Sequence, residues 1–223
     1  MPGLPFDILV VTDRVVCERA GKTVIAAIAQ LLHSPCSHRV AILVRDKEAP
    51  QARVGETIQT LQPMAQAAGA MLLAHTHVEL ALAFGLDGVH VASTAALGPV
   101  RSQLLPGMLL GASRHGQDPL NEADLGLADY ATISPIYRPT SKPDDTREPL
   151  GLSGLKTCTQ RSARPLVALG GIRPGRVAPA VKCGAAAIAI SGAILQADDP
   201  ADLLQQLWIE LSEARQELFD PVE

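Results

Sequence analysis

The chain has 223 residues, of which 47% are hydrophobic, 19% are charged and only 3% are aromatic. This composition excludes a disordered chain and allows a large core built from Ala, Val, Leu and Ile. The formal net charge of −4 argues against a nucleic-acid-binding surface, which is normally basic, so we expect no nucleic-acid partner.

The chain also lacks the usual signals for membrane insertion or export. No run of about 18 uncharged apolar residues is present, which predicts no membrane partner. Residues 1–7 contain no basic stretch followed by an apolar one, as a secretory signal would. The four cysteines stand apart without a CxxC pair, which indicates buried thiols rather than a zinc site or a disulfide framework. We therefore expect a cytoplasmic protein.

Short apolar runs alternate with helical segments along the chain. The predicted strands are Ile8–Thr12, Arg39–Val44, Ala70–Ala74, Gly88–Val91, Met108–Ser113, Tyr130–Ile133, Leu166–Leu169 and Ala187–Ile190. Consecutive apolar residues are typical of parallel strands that are covered on both faces. The clearest predicted helices are Val54–Ala68, Val78–Phe84, Arg101–Leu105, Pro174–Cys183 and Ala201–Phe219. Eight β–α units in series predict a single domain over residues 1–223, an α/β fold of the (β/α)8 TIM barrel type.

The longest irregular stretch runs from Ser134 to Leu152 and contains four prolines among several charged residues. A loop of this length inside a compact domain often forms a lid or a binding loop. A tolerated surface insertion is the alternative.

In such a barrel, residues just after the C-terminal ends of the strands face the active site. Gly170 and Gly171 follow the seventh predicted strand, and Ser191 and Gly192 follow the eighth. Barrels often bind phosphate at these two loops, because glycine lets backbone N–H groups approach an anion and a helix begins just beyond. We predict a phosphate site here; the alternative is that Gly170 and Gly171 only make a tight turn.

Cationic residues follow the second strand. Arg45 and Lys47 are two positions apart and can point the same way. With Lys142 and Arg147 they form a candidate site for a second anion or a diphosphate. The alternative is that they are solvated surface charges paired with Asp46 or Glu48.

Histidine supplies the candidate proton carrier. His115 follows the fifth predicted strand, and imidazole titrates near neutral pH. A structural role for His115 is the alternative. His75 and His77 offer a metal site together with His90, but His90 lies within a strand run, which favours local packing, and we predict no metal.

Short motifs in a fixed order along residues 8–200 resemble the thiamine phosphate synthase/TenI superfamily. They are Val11-Thr12-Asp13-Arg14, Arg45-Asp46-Lys47, Asp87-Gly88-Val89-His90-Val91, Gly111-Ala112-Ser113-Arg114-His115, Ala128-Asp129-Tyr130, Pro135-Ile136-Tyr137 with Thr140-Ser141-Lys142, Ala168-Leu169-Gly170-Gly171-Ile172 and Ser191-Gly192-Ala193-Ile194. The fold implied by the resemblance is the barrel inferred above.

Two activities are known in that family. The synthase joins a pyrimidine diphosphate to a thiazole phosphate with magnesium, whereas the TenI branch isomerises a thiazole phosphate carboxylate to its aromatic tautomer without a metal. The resemblance implies that Gly171 and Ser191 hold the thiazole phosphate, with Ser113 and Ser141 nearby. Three further residues match the diphosphate-binding positions of the synthase: Arg45, Lys47 and Lys142. Members of the family are commonly oligomeric, so a homo-oligomer is an alternative to a monomer.

The chain departs from the synthase pattern where magnesium would be held. His75-Thr76 replaces Asn-Asp after the third strand, and residues 92–95 (Ala-Ser-Thr-Ala) replace Gly-Gln-x-Asp after the fourth. Magnesium prefers oxygen ligands, above all carboxylates, and both expected carboxylates are missing. Leu43 also replaces the glutamine that precedes Arg45 in the pattern.

We therefore expect a TenI-like thiazole tautomerase that binds a thiazole phosphate, uses His115 as its proton carrier and needs no cofactor. One alternative is a thiamine phosphate synthase that holds magnesium in another way. The other is a non-catalytic binder of thiazole phosphate or thiamine phosphate.

Overall fold

A computed structural model of the chain describes residues 3–116, 118–138 and 146–219. Within these residues, eight parallel strands follow one another in sequence order and close into a barrel. The strands are β1 (Ile8–Val11), β2 (Val40–Val44), β3 (Met71–His75), β4 (Gly88–Val91), β5 (Leu109–His115), β6 (Tyr130–Ser134), β7 (Leu166–Leu169) and β8 (Ala187–Ile190). The predicted TIM barrel is confirmed.

Helices connect the strands and surround the barrel. They are α1 (Arg14–Arg19), α2 (Val24–Leu31), α3 (Gln51–Ala67), α4 (Val78–Phe84), α5 (Leu97–Arg101), α6 (Glu122–Leu125), α7 (Gly151–Arg161), α8 (Val177–Lys182), α9 (Gly192–Leu195) and α10 (Pro200–Phe219). Within the described residues, no helix is both long enough and apolar enough to cross a bilayer.

The predicted helix Arg101–Leu105 is wrong, because the helix in this region ends where the prediction begins. It spans Leu97–Arg101, and Pro99 lies within its first turn, where a missing backbone N–H removes no helical hydrogen bond. The guanidinium of Arg101 then bonds to the carbonyls of Leu127 and Met108 and to Asp129, which anchors the end of the helix.

The fifth and sixth predicted strands end too early. β5 continues past Ser113 to His115, and Ser134 is the last residue of β6 rather than the first of a loop. The register explains this extension, because Ser113 pairs with Thr132 and His115 with Ser134 along two adjacent strands. These side chains are therefore fixed by the sheet.

Alternation along each strand divides the core into two layers. Ile8 and Val10 of β1 pack outward against the helices, whereas Leu9 and Val11 pack inside the barrel. The interior is filled by Phe6 and Tyr130, whose rings meet edge to face with centroids 5.3 Å apart. Small interior side chains leave room for these two rings, among them Ala41, Ala187 and Ala189.

Asp7, just before β1, joins the first strand to the last helix. Its buried carboxylate accepts hydrogen bonds from Arg39, from the indole of Trp208 and from Arg215. Burial alone would raise the pKa of Asp7, but hydrogen bonds and charges from Arg39 and Arg215 outweigh it and lower that pKa. The N-terminal end of the barrel is thus closed by an ion-pair cluster, opposite the end where we predict the site.

Helix α8 begins at Val177, three residues later than predicted. The side chain of Glu210 in α10 accepts hydrogen bonds from the backbone N–H groups of Gly175, Val177 and Ala178, at 2.8–3.0 Å. A distant carboxylate therefore caps α8 at the end where its N–H groups lack helical partners.

Candidate functional site

A cavity of about 450 Å³ opens at the C-terminal ends of the strands. It brings together every predicted site residue that the structure describes: Arg45, Lys47, Ser113, His115, Gly170, Gly171, Ser191 and Gly192. Two further predicted residues, Ser141 and Lys142, lie outside the described residues.

The two glycines after β7 adopt backbone conformations that side chains rarely allow. Gly170 has φ +103° and Gly171 has φ +62°. A Cβ at Gly171 would lie 2.8 Å from the Cβ of Tyr137 and 2.9 Å from the carbonyl oxygen of Arg138. The loop after β7 thus packs directly on the loop after β6. Gly170 and Gly171 therefore do make a tight turn, and this turn is part of the cavity wall.

The second glycine-containing loop follows β8. The carbonyl of Ser191 accepts from the N–H groups of Ile194 and Leu195, so α9 begins at the cavity. Since β7 and β8 are paired, the Gly170–Gly171 and Ser191–Gly192 segments line the same side of it.

Arg45, Lys47 and His75 line the cavity at β2 and β3. Arg45 is mostly buried and lies 3.7 Å from Asp13, while Asp46 pairs with Arg14 instead. Glu48 also lies beside Arg14, so the acid that pairs with Arg45 is Asp13 and not either of the two acids named in the alternative.

His75 is held neutral near physiological pH. Burial, together with the positive charges of Arg45 and Lys47 and the proximity of His77, lowers the pKa of His75 from its usual 6.5 to about 4. At neutral pH its imidazole contributes a hydrogen-bonding group and no charge.

His90 is buried within the barrel, as its position in a strand run predicted. Its Nδ1 lies 3.1 Å from the hydroxyl of Tyr130, and its Nε2 lies 3.0 Å from the hydroxyl of Ser113 and 3.5 Å from that of Thr132. Burial lowers the pKa of His90 to about 3. This network fixes Ser113 at the floor of the cavity, and Gly111 makes it feasible, because a Cβ there would lie 2.4 Å from the His90 ring.

His115 lies at the end of β5 with its ring in the cavity wall. Nδ1 is 3.1 Å from the carbonyl oxygen of Ser134 and 3.2 Å from its hydroxyl. Nη1 of Arg147 is 2.9 Å from Nδ1 and 3.2 Å from Nε2. The imidazole is therefore oriented by a neighbouring strand and contacts a cation.

Three arginines that line the cavity were not predicted from the sequence: Arg138, Arg173 and Arg176. Arg176 donates to the carbonyl of Gly171 and stacks over the ring of Tyr137, 4.6 Å from its centroid. Only their location after β6 and β7 could have indicated that they line the cavity. The residue type gives no such indication, because arginines are common in surface loops.

A family model described as thiamine monophosphate synthase matches residues 8–194. The chain belongs to this family. A thiamine-phosphate synthase from Chloroflexus aurantiacus is 34% identical over 163 residues, covering 73% of this chain and 75% of that protein. A thiamine-phosphate synthase from Methanoculleus marisnigri is 30% identical over 213 residues, covering 95% and 98% respectively.

A solved structure agrees on the fold of this member of the thiamine monophosphate synthase family. The thiamine phosphate pyrophosphorylase from Pyrococcus furiosus superposes with a TM-score of 0.78 at 24% identity. The match covers 94% of this chain and 97% of that one.

The synthase activity of this family uses magnesium, so we ask whether the residues that line the cavity could bind this ion. The described residues that line it include no Asp or Glu. In the described ranges as a whole, no group of three His, Cys, Asp or Glu side chains is arranged to hold a metal ion. Because magnesium prefers carboxylate and other oxygen ligands, this described lining does not fit it.

Thr76 occupies one of the two positions at which the synthase pattern has an aspartate. It has φ +63°, a left-handed conformation that is an outlier for a β-branched residue and is more common for Asn and Asp. Asn and Asp adopt this backbone conformation more readily than Thr does, and the hydroxyl of Thr76 cannot act as a carboxylate ligand.

Proposed function

We propose that this member of the family binds a thiazole phosphate and acts in thiamine biosynthesis as a TenI-like thiazole tautomerase. The observation that carries the proposal is one cavity lined by His115 and by two glycine loops, whose described lining supplies cations and no carboxylate. The phosphate is held by the loops at Gly170–Gly171 and Ser191–Gly192, and His115 moves the proton.

Several features support this division of roles. Positive-φ glycines let backbone N–H groups approach an anion closely, and Ser191 stands at the start of a helix beside them. Arg45, Lys47 and Ser113 bind the part of the ligand that lies away from the phosphate. We place Ser141 and Lys142 in the same ligand site on the resemblance alone. The reaction uses no metal or other cofactor.

The test uses the complete chain and a thiazole phosphate carboxylate in its non-aromatic form. We expect conversion to the aromatic tautomer, and we expect His115→Asn to slow it by about 10²–10⁴-fold, the usual contribution of a general base. Asn keeps a hydrogen-bonding group, so the affinity for thiazole phosphate, measured by titration calorimetry, should stay within about threefold. Full-rate tautomerisation by the variant would remove His115 from the mechanism.

The synthase alternative is tested in parallel. The chain is incubated with a pyrimidine diphosphate and a thiazole phosphate, with and without magnesium, and we expect no thiamine phosphate. Its release at a catalytic rate would overturn the proposal. Tight binding without turnover in either assay would favour the non-catalytic binder.

A further inference from the structure

Arg147 contacts the histidine to which we assign the proton. Its Nη1 lies within 3.2 Å of both ring nitrogens of His115. Arg147 belongs to the segment between β6 and α7, and its side chain lines the cavity. Two residues that are 32 positions apart in the chain are thus brought together at the reacting end of the site.

The neighbouring groups determine which ring nitrogen of His115 donates a hydrogen bond and which accepts one. The carbonyl oxygen of Ser134 only accepts, and the guanidinium of Arg147 only donates. Nδ1 of His115 lies near both groups and cannot serve them at once. The arrangement that satisfies both has Nδ1–H donating to Ser134 and Nε2 accepting from Arg147. The lone pair that would take a substrate proton is therefore the one that Arg147 covers.

The charge of the cavity indicates what would replace this contact. The described lining carries six cationic side chains and no acid: Arg45, Lys47, Arg138, Arg147, Arg173 and Arg176. A charge-assisted hydrogen bond between guanidinium and carboxylate is about twice as strong as one to a neutral acceptor. An anionic group on a ligand next to His115 is therefore a better partner for Arg147 than the imidazole.

We infer that Arg147 is a specificity-determining residue that binds a carboxylate carried on the heterocycle of the ligand. This inference rests on the proposed function, because it assigns the carboxylate to a thiazole phosphate bound at the glycine loops. When Arg147 binds the carboxylate, Nε2 of His115 becomes available to the adjacent carbon.

The chemistry is balanced without any further reactant. The proton leaves a ring carbon for Nε2, and the electron pair of the broken C–H bond delocalises into the conjugated system that includes the carboxylate. The protonated imidazole returns a proton to another atom of that system, which completes the isomerisation. Arg147 stabilises the negative charge that develops in between.

The experiment compares two probes by titration calorimetry: the aromatic thiazole phosphate with its ring carboxylate and the same molecule without it. We expect the chain to prefer the carboxylated probe. Arg147→Gln should weaken that probe by about 10- to 100-fold, as expected for a hydrogen bond to a charged group, and leave the other probe within about twofold. Arg147→Lys should retain part of the preference.

Arg138→Gln is the matched control, because Arg138 also lines the cavity from the segment after β6 and its side chain contacts Glu148 rather than His115. It should weaken both probes equally or neither. If Arg147→Gln also weakens both probes equally, or leaves the carboxylated probe unchanged, the inference is wrong and the proposed function stands. If the unmodified chain binds neither probe, both are wrong.

Discussion

At the residue scale, two glycines after β7 show two different reasons for which a position requires glycine: its backbone conformation and the space available for a side chain. Gly171 and Gly175 both have positive φ, at +62° and +80°. A Cβ at Gly171 would meet Tyr137 and Arg138 at less than 3 Å, whereas a Cβ at Gly175 would meet nothing within 4 Å. The first glycine is needed for both conformation and close packing, and the second only for conformation.

This difference gives a prediction for phosphate binding. Gly175→Ala should destabilise the fold by roughly 1–2 kcal/mol, the cost of a left-handed non-glycine residue, and leave the affinity for thiazole phosphate unchanged. Gly171→Ala should cost more and weaken that affinity at least tenfold, because the loops after β6 and β7 must move apart. Urea unfolding and calorimetry measure the two effects. Equal affinities for both variants would exclude Gly171 from the phosphate site.

At the element scale, the cap of α8 depends on a residue of α10. Glu210 accepts three backbone hydrogen bonds at the start of α8, directly after the loop that contains Gly170 and Gly171. The last helix therefore supports the cavity wall without touching the cavity.

We expect Glu210→Gln to lower the free energy of unfolding by about 1–2 kcal/mol, since it removes the negative charge at a helix N-terminus and weakens the cap. Amide hydrogen exchange should accelerate at Gly175, Val177 and Ala178 before it does elsewhere. Glu213→Gln, an exposed acid one turn further along α10, is the control and should change neither quantity. Uniform acceleration over the whole chain would instead indicate a global effect.

The sequence predicted the strands more precisely than the contacts between elements. Gly88–Val91, Leu166–Leu169 and Ala187–Ile190 were predicted to the residue, because buried parallel strands are continuous apolar runs. The start of α8 was missed, because its cap comes from Glu210, more than 30 positions away. Contacts of this kind depend on the closed barrel and leave no local pattern.

The same reasoning explains which of the cavity-lining residues the sequence predicted. Gly171 and Ser191 were predicted from their position after strands, which a barrel converts directly into proximity. The contact of Arg147 with His115 joins residues 32 positions apart, and no spacing rule gives such a contact. The network of His90 with Tyr130 and Ser113 joins three different strands, so the sequence indicated only that His90 was inside.

At the scale of the whole molecule, buried histidines make stability depend on pH. Burial, with charges from neighbouring residues, lowers the pKa of His90 to about 3 and that of His75 to about 4. In the unfolded chain both histidines bind protons below about pH 6.5. The unfolded state therefore binds more protons than the folded state between pH 6.5 and 4, and stability falls as the pH is lowered through that range.

The ion-pair cluster around Asp7, at the other end of the barrel, affects stability in a separate pH range. The lowered pKa of Asp7 means that its ion pairs with Arg39 and Arg215 contribute fully above the unfolded value, near pH 3.9. That contribution is lost only as the pH falls below this value, through the folded pKa. Between pH 7 and pH 5, His75 and His90 therefore change the free energy of unfolding while the contribution of Asp7 stays constant.

We predict that the free energy of unfolding, from urea titrations, is lower at pH 5 than at pH 7 by about 2 kcal/mol from His90 alone. His75 should add a smaller amount, because it is partly exposed to solvent in the cavity. His75→Asn, which removes this titrating group at the cavity surface, should therefore reduce the loss between the two pH values without abolishing it. The exposed His33→Asn is the control and should leave the loss unchanged. A loss that is the same in all three proteins would mean that His75 has the same pKa in the folded and unfolded chains, and the lowering of its pKa by burial and by Arg45 and Lys47 would have to be abandoned.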